Sequence, residues 1–298
     1  MDVAVVGSVA LDTVETPWGR NEDGLGGAAT YFSLAAAPYA RVHLVGVVGD
    51  DFPEGHMALL RDRGVVLDGL ERASGKTFRW SGRYHEDVNV RDTLDTQLNV
   101  FEQFHPNLSD GARNAPYMFL GNIHPRLQLE VLEQARPKFV GLDTMNLWIQ
   151  TTRKDLDEVL KRVDAILIND SEVKELTGHA SVVQGARAVQ ALGPRIVLVK
   201  KGEHGCLLVT PEDVFAVPAI PLDDVRDPTG AGDSFAGGFM GFIAAQDRSD
   251  DGTLRKAAVH GSVVASFTCQ AFGTDGLARI GQDDIAERYQ AFGRLVRF

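Results

Sequence analysis

The residues with the clearest chemical capacity lie in one stretch, Arg226-Asp-Pro-Thr-Gly-Ala-Gly-Asp-Ser-Phe-Ala-Gly-Gly-Phe-Met240. Pro228 and Gly230 predict a turn, and Gly232 leaves the backbone bare. Phe235, Phe239, Phe242 and Ile243 then recur at the spacing of a buried helix over Ser234 to Ala245. The first N–H groups of a helix lack internal partners and carry the positive end of its dipole. An anion can therefore sit directly on the amides of Gly230, Ala231 and Gly232. Asp233 stands at the same helix start. A carboxylate beside a phosphate is productive only if a nearby hydroxyl must lose a proton as it attacks phosphorus. The helix start predicts an ionised Asp233, a weak base. That suffices for a loose transition state in which the hydroxyl becomes acidic late. The structural alternative is an Asp N-cap beside packing glycines.

Stepping outward, Val3–Val6 is an apolar run ended by Gly7, which predicts a buried parallel strand, and Asp12 follows it. At the carboxyl end of a strand in an open α/β sheet, Asp12 could reach a substrate hydroxyl; it could equally form a turn. Gly26 and Gly27 precede an alanine-rich helical stretch, so they suit either close approach to a ligand or tight helix packing. A strand over Val42–Val48 and a helix over Asp51 to Arg63 come next. Tyr117–Leu120, Phe139–Leu142, Ala165–Ile168 and Ile196–Val199 are apolar runs of strand length, separated by helical stretches at Arg126–Ala135, Lys154–Val163 and Ser181–Leu192. The order predicts a doubly wound, mostly parallel sheet with helices on both faces, in a single domain over 1–298. Polar residues gather where these strands end: Asn122 and His124, Asp143 and Asn146, Asn169 and Glu172, Lys200 and Gly202. Strand ends face the ligand crevice of such sheets.

Lys76 to Tyr84 and Gln97 to Phe104 read as antiparallel ribbon around a charged segment, Glu86 to Asp95. With 13–25, the segment 75–106 predicts a small inserted β-sheet, a lid. Its aromatics Phe78, Trp80, Tyr84, Phe101 and Phe104 could form a lid core, a dimer contact or a stacking surface. Gly69 to Thr77 mimics a phosphate-binding loop, but five residues separate its glycines where four are required and strand-like residues follow, so it is rejected. No GxGxxG follows the first strand, which leaves little support for a nicotinamide enzyme.

The chain of 298 residues is 44% hydrophobic with net charge -11 and pI near 5.2. No basic stripe is interleaved with aromatics, which argues against nucleic acid as a partner. Cys206 and Cys269 are too few for a disulfide framework and lack zinc-site spacing, so both read as thiols in a reducing compartment. Neither a leader-like start nor an apolar stretch long enough to span a bilayer is present. A soluble, cytoplasmic protein without a membrane partner is expected.

Asp227-Pro-Thr-Gly-Ala-Gly-Asp-Ser-Phe-Ala-Gly-Gly-Phe239 resembles the C-terminal signature of the ribokinase-like, or PfkB-type, carbohydrate kinases. The Gly26/Gly27 loop followed by Gly46-Val-Val-Gly-Asp50 resembles the N-terminal one. The family carries an Asn shortly after the paired glycines, where Thr30 stands here. The resemblance, from Asp12 to Gly276, implies a ribokinase-like fold and an ATP- and Mg²⁺-dependent kinase. It would move the γ-phosphate to a primary hydroxyl of a small sugar or sugar derivative, or of a nucleoside; a catalytically idle member of the fold is the remaining alternative. Asp12, Gly26, Gly27 and Thr30 would hold the acceptor, and Asp233 would take its proton. Asn169-Asp-Ser-Glu172 offers a helix cap on local grounds. It also resembles the family motif that organises magnesium and phosphates, with Glu172 acting through water. Lys200, Gly202, Gly205, Thr229 and Gly273 are implied nucleotide contacts, Gly273 through its backbone at the adenine. The resemblance further implies K⁺ near Asp227 and Thr229, and a homodimer through the lid.

Overall fold

The computed structural model describes Met1–Arg297. Thirteen strands form among these residues: β1 (Asp2–Val6), β2 (Ala10–Thr16), β3 (Gly19–Gly26), β4 (Arg41–Val48), β5 (Val66–Arg72), β6 (Phe78–Tyr84), β7 (Arg91–Gln97), β8 (Tyr117–Leu120), β9 (Phe139–Leu142), β10 (Ala165–Asn169), β11 (Ile196–Lys200), β12 (Cys206–Val209) and β13 (Val214–Val217). Nine make one sheet in the order β13-β12-β11-β10-β9-β8-β1-β4-β5, paired in parallel except that β12 runs antiparallel to both β11 and β13. Strands β1, β8, β9, β10 and β11 are apolar runs because both faces are covered. Val3, Phe119 and Leu167 belong to one buried cluster and Val6, Leu120 and Ile168 to another. The expected doubly wound, mostly parallel fold is what the chain forms.

The remaining four strands make a small sheet, β3-β2-β6-β7. The segments 13–25 and 75–106 fall on it, with one rearrangement inside the second. Gln97–Phe104, expected as a strand, is instead a short 3₁₀ turn at Asn99–Gln103. The strand lies at Arg91–Gln97, within the charged segment taken as a separator. The physical reason is position: β7 is an edge strand exposed at every residue, so no apolar alternation marks it. Strand β5, at the edge of the large sheet, is half-buried, with Leu67 and Leu70 against the core, and was also not expected. Phe78, Phe101 and Phe104 stack in series with centroids 5.4 and 5.6 Å apart, and Phe104 is buried in the second cluster. They tie the small sheet to the body, whereas Trp80 remains partly open.

Two helices frame the crevice between the sheets. The helix Ala28–Ala36 packs against the helix Ala231–Gln246 through small residues: a Cβ on Gly237 would run into the Phe32 carbonyl and the Ala35 methyl. Asp251–Cys269 packs on the other side, with Gly261 against the Phe235 ring.

Candidate active site

The helix at Ala231 starts from Gly230 in the left-handed conformation, φ 74°, with the Tyr31 ring directly beneath. A side chain there would strike the ring and strain the turn, so glycine is required. Of the three amides expected to receive an anion, that of Ala231 already donates to the Pro228 carbonyl at 3.1 Å. Those of Gly230 and Gly232 have no acceptor among the described residues. The turn is fixed from behind by Asp227, 1% exposed, whose carboxylate accepts the N–H of Thr229 and that of Gly273, each at 2.9 Å. The Gly273 amide is therefore committed to this brace, not free for an adenine. Asp227 likewise spends its oxygens on backbone donors.

Lys200 ends β11 with Nζ 3.2 Å from Asp143, which follows β9, and 3.1 Å from where a Gly232 Cβ would stand. A positive charge thus sits beside the free amides. Burial alone would lower the Lys200 pKa, but Asp143, Glu172 and Asp233 around it more than offset this and hold it above its ordinary value. Asp233 is half-buried at the floor of the crevice. Desolvation, then the charge of Asp143, pushes its carboxyl up to about 7, and Lys200 only partly counters this. The expectation of a firmly ionised Asp233 is corrected: the loss of water and a second carboxylate outweigh the helix start.

Asp12 lies on β2, on the small sheet rather than at the end of a large-sheet strand, and is 6% exposed. It accepts the Gly27 N–H at 3.3 Å, and burial pushes it up to about 7, with Asp227 and Asp233 adding to the shift. Gly26 must lack a side chain because a Cβ would overlap the Asp12 carboxylate. Gly27, at φ 93°, brings the chain against Ser8 and Ala10. Asp12, Gly26, Gly27 and the Gly230–Asp233 turn therefore meet in one crevice.

Thr30 is fully buried, and its hydroxyl finds no partner. Tyr31, one residue on, instead faces the crevice: Asp12, Asp227, Tyr84 and Asp233 all act on its phenol, whose hydroxyl is also unpartnered. Burial, then Asp12, holds that phenol well above its usual range. Tyr31, Asp143 and Tyr84 were not named as site residues from sequence. Asp143 had a signal, a polar residue at a strand end; Tyr31 and Tyr84 had none that separates them from core aromatics. Tyr84 is buried at the end of β6 and accepts the Thr229 hydroxyl at 3.3 Å, fastening the small sheet to the turn.

Asn169 caps the helix Asp170–Thr177, its Oδ1 accepting the Glu172 N–H at 2.8 Å while Glu172 accepts the Asn169 N–H at 3.0 Å. The capping role is therefore real. Burial, then Asp143, nevertheless pushes Glu172 up to about 7. Three carboxylates, Asp143, Glu172 and Asp233, surround one lysine, an excess of negative charge that suits a divalent cation. No cluster of three or more potential ligands forms among the described residues. An ion here would take most of its oxygens from phosphate and water, as Mg²⁺ commonly does. Gly202 and Gly205, at φ 56° and 79°, shape the turn between β11 and β12; Gly202 also touches Asn89, at the tip of the β6–β7 hairpin.

A crevice with an amide-lined helix start, a lysine and two proton-accepting carboxylates has the make-up of a phosphotransferase for small molecules. A model of the pfkB family carbohydrate kinases matches residues 2–279. A cytidine kinase of Thermococcus kodakarensis is 32% identical over 249 residues, covering 80% of this chain and 87% of that protein. The chain belongs to the pfkB family of carbohydrate kinases. Among solved structures, a Burkholderia thailandensis nucleoside kinase in complex with inosine aligns with TM-score 0.78 at 18% identity, covering 97% of this chain and 98% of that one. An Escherichia coli structure described as a Ribokinase II with ATP and Mg²⁺ aligns with TM-score 0.80 at 17% identity, covering 97% and 99%. Both share the fold. No helix among the described residues is long and apolar enough to cross a membrane.

Proposed function

We propose that this kinase transfers the γ-phosphate of ATP, bound as its magnesium complex, to a primary hydroxyl of a sugar or sugar derivative. The observation that carries the reading is the pair Asp12 and Asp233, two carboxyls raised to about 7 that share one crevice with the free amides of Gly230 and Gly232. Asp12, held by Gly27, orients the acceptor through its hydroxyls. Asp233 accepts the proton of the attacking hydroxyl, while Lys200 and the amides meet the phosphate charge. Magnesium, beside Glu172, would neutralise phosphate charge and align the donor. The small sheet, carrying Asp12 on its inner face, acts as the cover of the acceptor.

A nucleoside acceptor is the second reading, favoured by one feature of that cover. Trp80 stands directly across from Asp12 in the β2–β6 register, so both side chains share a face, and Gly82 leaves room for the ring. A ring plane beside the residue that holds a sugar hydroxyl suits a base attached to that sugar. The likeness to a cytidine kinase agrees. ADP release from magnesium-ATP, screened against free sugars, sugar phosphates, inositols and nucleosides, tests both readings. Turnover with cytidine or another nucleoside and none with free sugars selects the second; no turnover with any acceptor refutes the kinase reading and favours an idle binding protein.

A further inference from the structure

The β6–β7 hairpin is anchored at two places on either side of the phosphate site. Tyr84, at its base, is fastened to Thr229 immediately before the Gly230 turn, and Asn89, at its tip, lies against Gly202 after β11. Arg91 falls between these anchors. It is the cross-strand partner of Tyr84, so both side chains leave the sheet on the face shared with Trp80 and Asp12. Its guanidinium lies 5.1 Å from the Trp80 ring centroid, which steadies it without consuming its hydrogen-bond donors. No carboxylate forms an ion pair with it among the described residues, although twenty-two ion pairs form elsewhere. Its charge favours the ionised forms of Asp12 and Asp233, and its side chain also bonds the Tyr84 hydroxyl. An unpaired arginine held over a site that must accept a phosphoryl group has one obvious anionic partner.

We propose that Arg91 reaches down from the hairpin to the transferring phosphoryl group and stabilises its charge in the transition state. The inference rests on the kinase reading above. In the step itself the acceptor oxygen bonds to the γ-phosphorus, and the bond from that phosphorus to the β,γ-bridging oxygen breaks. ADP leaves, and the hydroxyl proton passes to Asp233. Arg91 donates to the equatorial phosphoryl oxygens, on the side opposite Lys200 and the Gly230–Gly232 amides. A planar fork suits that position better than an ammonium does.

The test compares wild type with Arg91→Ala and Arg91→Lys in two measurements. One is turnover with the acceptor found by the screen. The other is the affinity of magnesium-ADP with and without aluminium fluoride, a mimic of the phosphoryl in flight. Arg91→Ala should lower kcat by about 10²-fold or more, as loss of one transition-state donor does, and Lys should recover only part. Affinity for magnesium-ADP should stay within about threefold of wild type, while the tightening produced by aluminium fluoride disappears. Turnover of Arg91→Ala within about threefold of wild type, or a loss confined to acceptor KM with the tightening intact, overturns the proposal. The aluminium fluoride measurement needs no acceptor. If no acceptor is turned over yet Arg91→Ala abolishes the tightening, Arg91 is placed at the γ-phosphoryl position while the transfer to an acceptor falls.

Discussion

Gly26→Ala tests the acceptor side of the crevice through a single added methyl group. Gly26 does not occupy the left-handed region, so alanine brings no backbone strain; its cost comes from contact alone. The new Cβ would overlap the carboxylate oxygen and carbon of Asp12 and stand 2.9 Å from its Cβ. Gly26 is fixed in β3 opposite Ala10, so Asp12 is the group that yields. Turning its side chain off its rotamer costs about 0.5–1.5 kcal/mol. Losing the 3.3 Å bond from Gly27 leaves a buried carboxyl unsatisfied, at about 1–3 kcal/mol. If these act on acceptor positioning, kcat/KM for the acceptor falls about 10- to 10³-fold, since each 1.4 kcal/mol is tenfold, while KM for ATP holds. The assay is steady-state ADP release for wild type, Gly26→Ala, Asp12→Ala and the double variant, with thermal melts confirming folding. With Asp12 already removed, the added methyl should cost less than about 0.5 kcal/mol, because the clash has lost its target. An equal loss in both backgrounds, or a rise in ATP KM alone, refutes the reasoning.

Four further outcomes follow from the same geometry. Asp233→Asn should lower turnover by at least about 10² with magnesium-ATP binding kept, and near-normal turnover would remove its role as base. The pH dependence should show an acid limb near 7 in kcat/KM, because burial and the charge of Asp143 raise Asp233 and the base works only when ionised. Linkage has the opposite sign for stability: a carboxyl raised in the folded state stabilises below its unfolded pKa, and that contribution is lost as pH rises through about 7. Asp233→Asn should accordingly raise the melting temperature of the ligand-free protein more at pH 8 than at pH 5; equal shifts at both would count against the raised carboxyl. Glu172→Gln should increase the magnesium concentration needed for half-maximal rate, whereas an unchanged titration with a lower melting temperature would leave only the helix cap seen at Asn169.

The legible parts of the sequence were those whose signal is local. Strands β8 and β9 fall on the residues expected of them, since burial on both faces writes its pattern into adjacent positions. The edge strand β7 escaped because a strand exposed at every residue has no apolar face to display. Asp233 and the glycine turn lie next to each other in the chain, so their juxtaposition is written locally, whereas Asp12 meets Gly27 only across the fold. Tyr31 was passed over in favour of Thr30, and a single step along a helix turns a side chain by about 100°. That step separates a hydroxyl sealed in the core from a phenol facing three carboxylates.

What the sequence could not show was the balance of charge, which exists only after β9, β10, β11 and the Gly230 turn converge. Read alone, Asp233 is a helix-start carboxylate and should be held ionised. Once Asp143 arrives from another strand end and water is displaced, the same group is pushed up to about 7. Lys200 does not cancel that excess, because it is shared among three carboxylates and ion-paired with one. The ligand-free crevice is therefore short of positive charge on the body side, which suits a magnesium-nucleotide complex. It carries an unspent positive charge on the hairpin side, at Arg91. On the proposed reading, the hairpin faces the acceptor with Trp80 and the phosphate with Arg91, which pairs across the strand with Tyr84 and packs on the Trp80 ring.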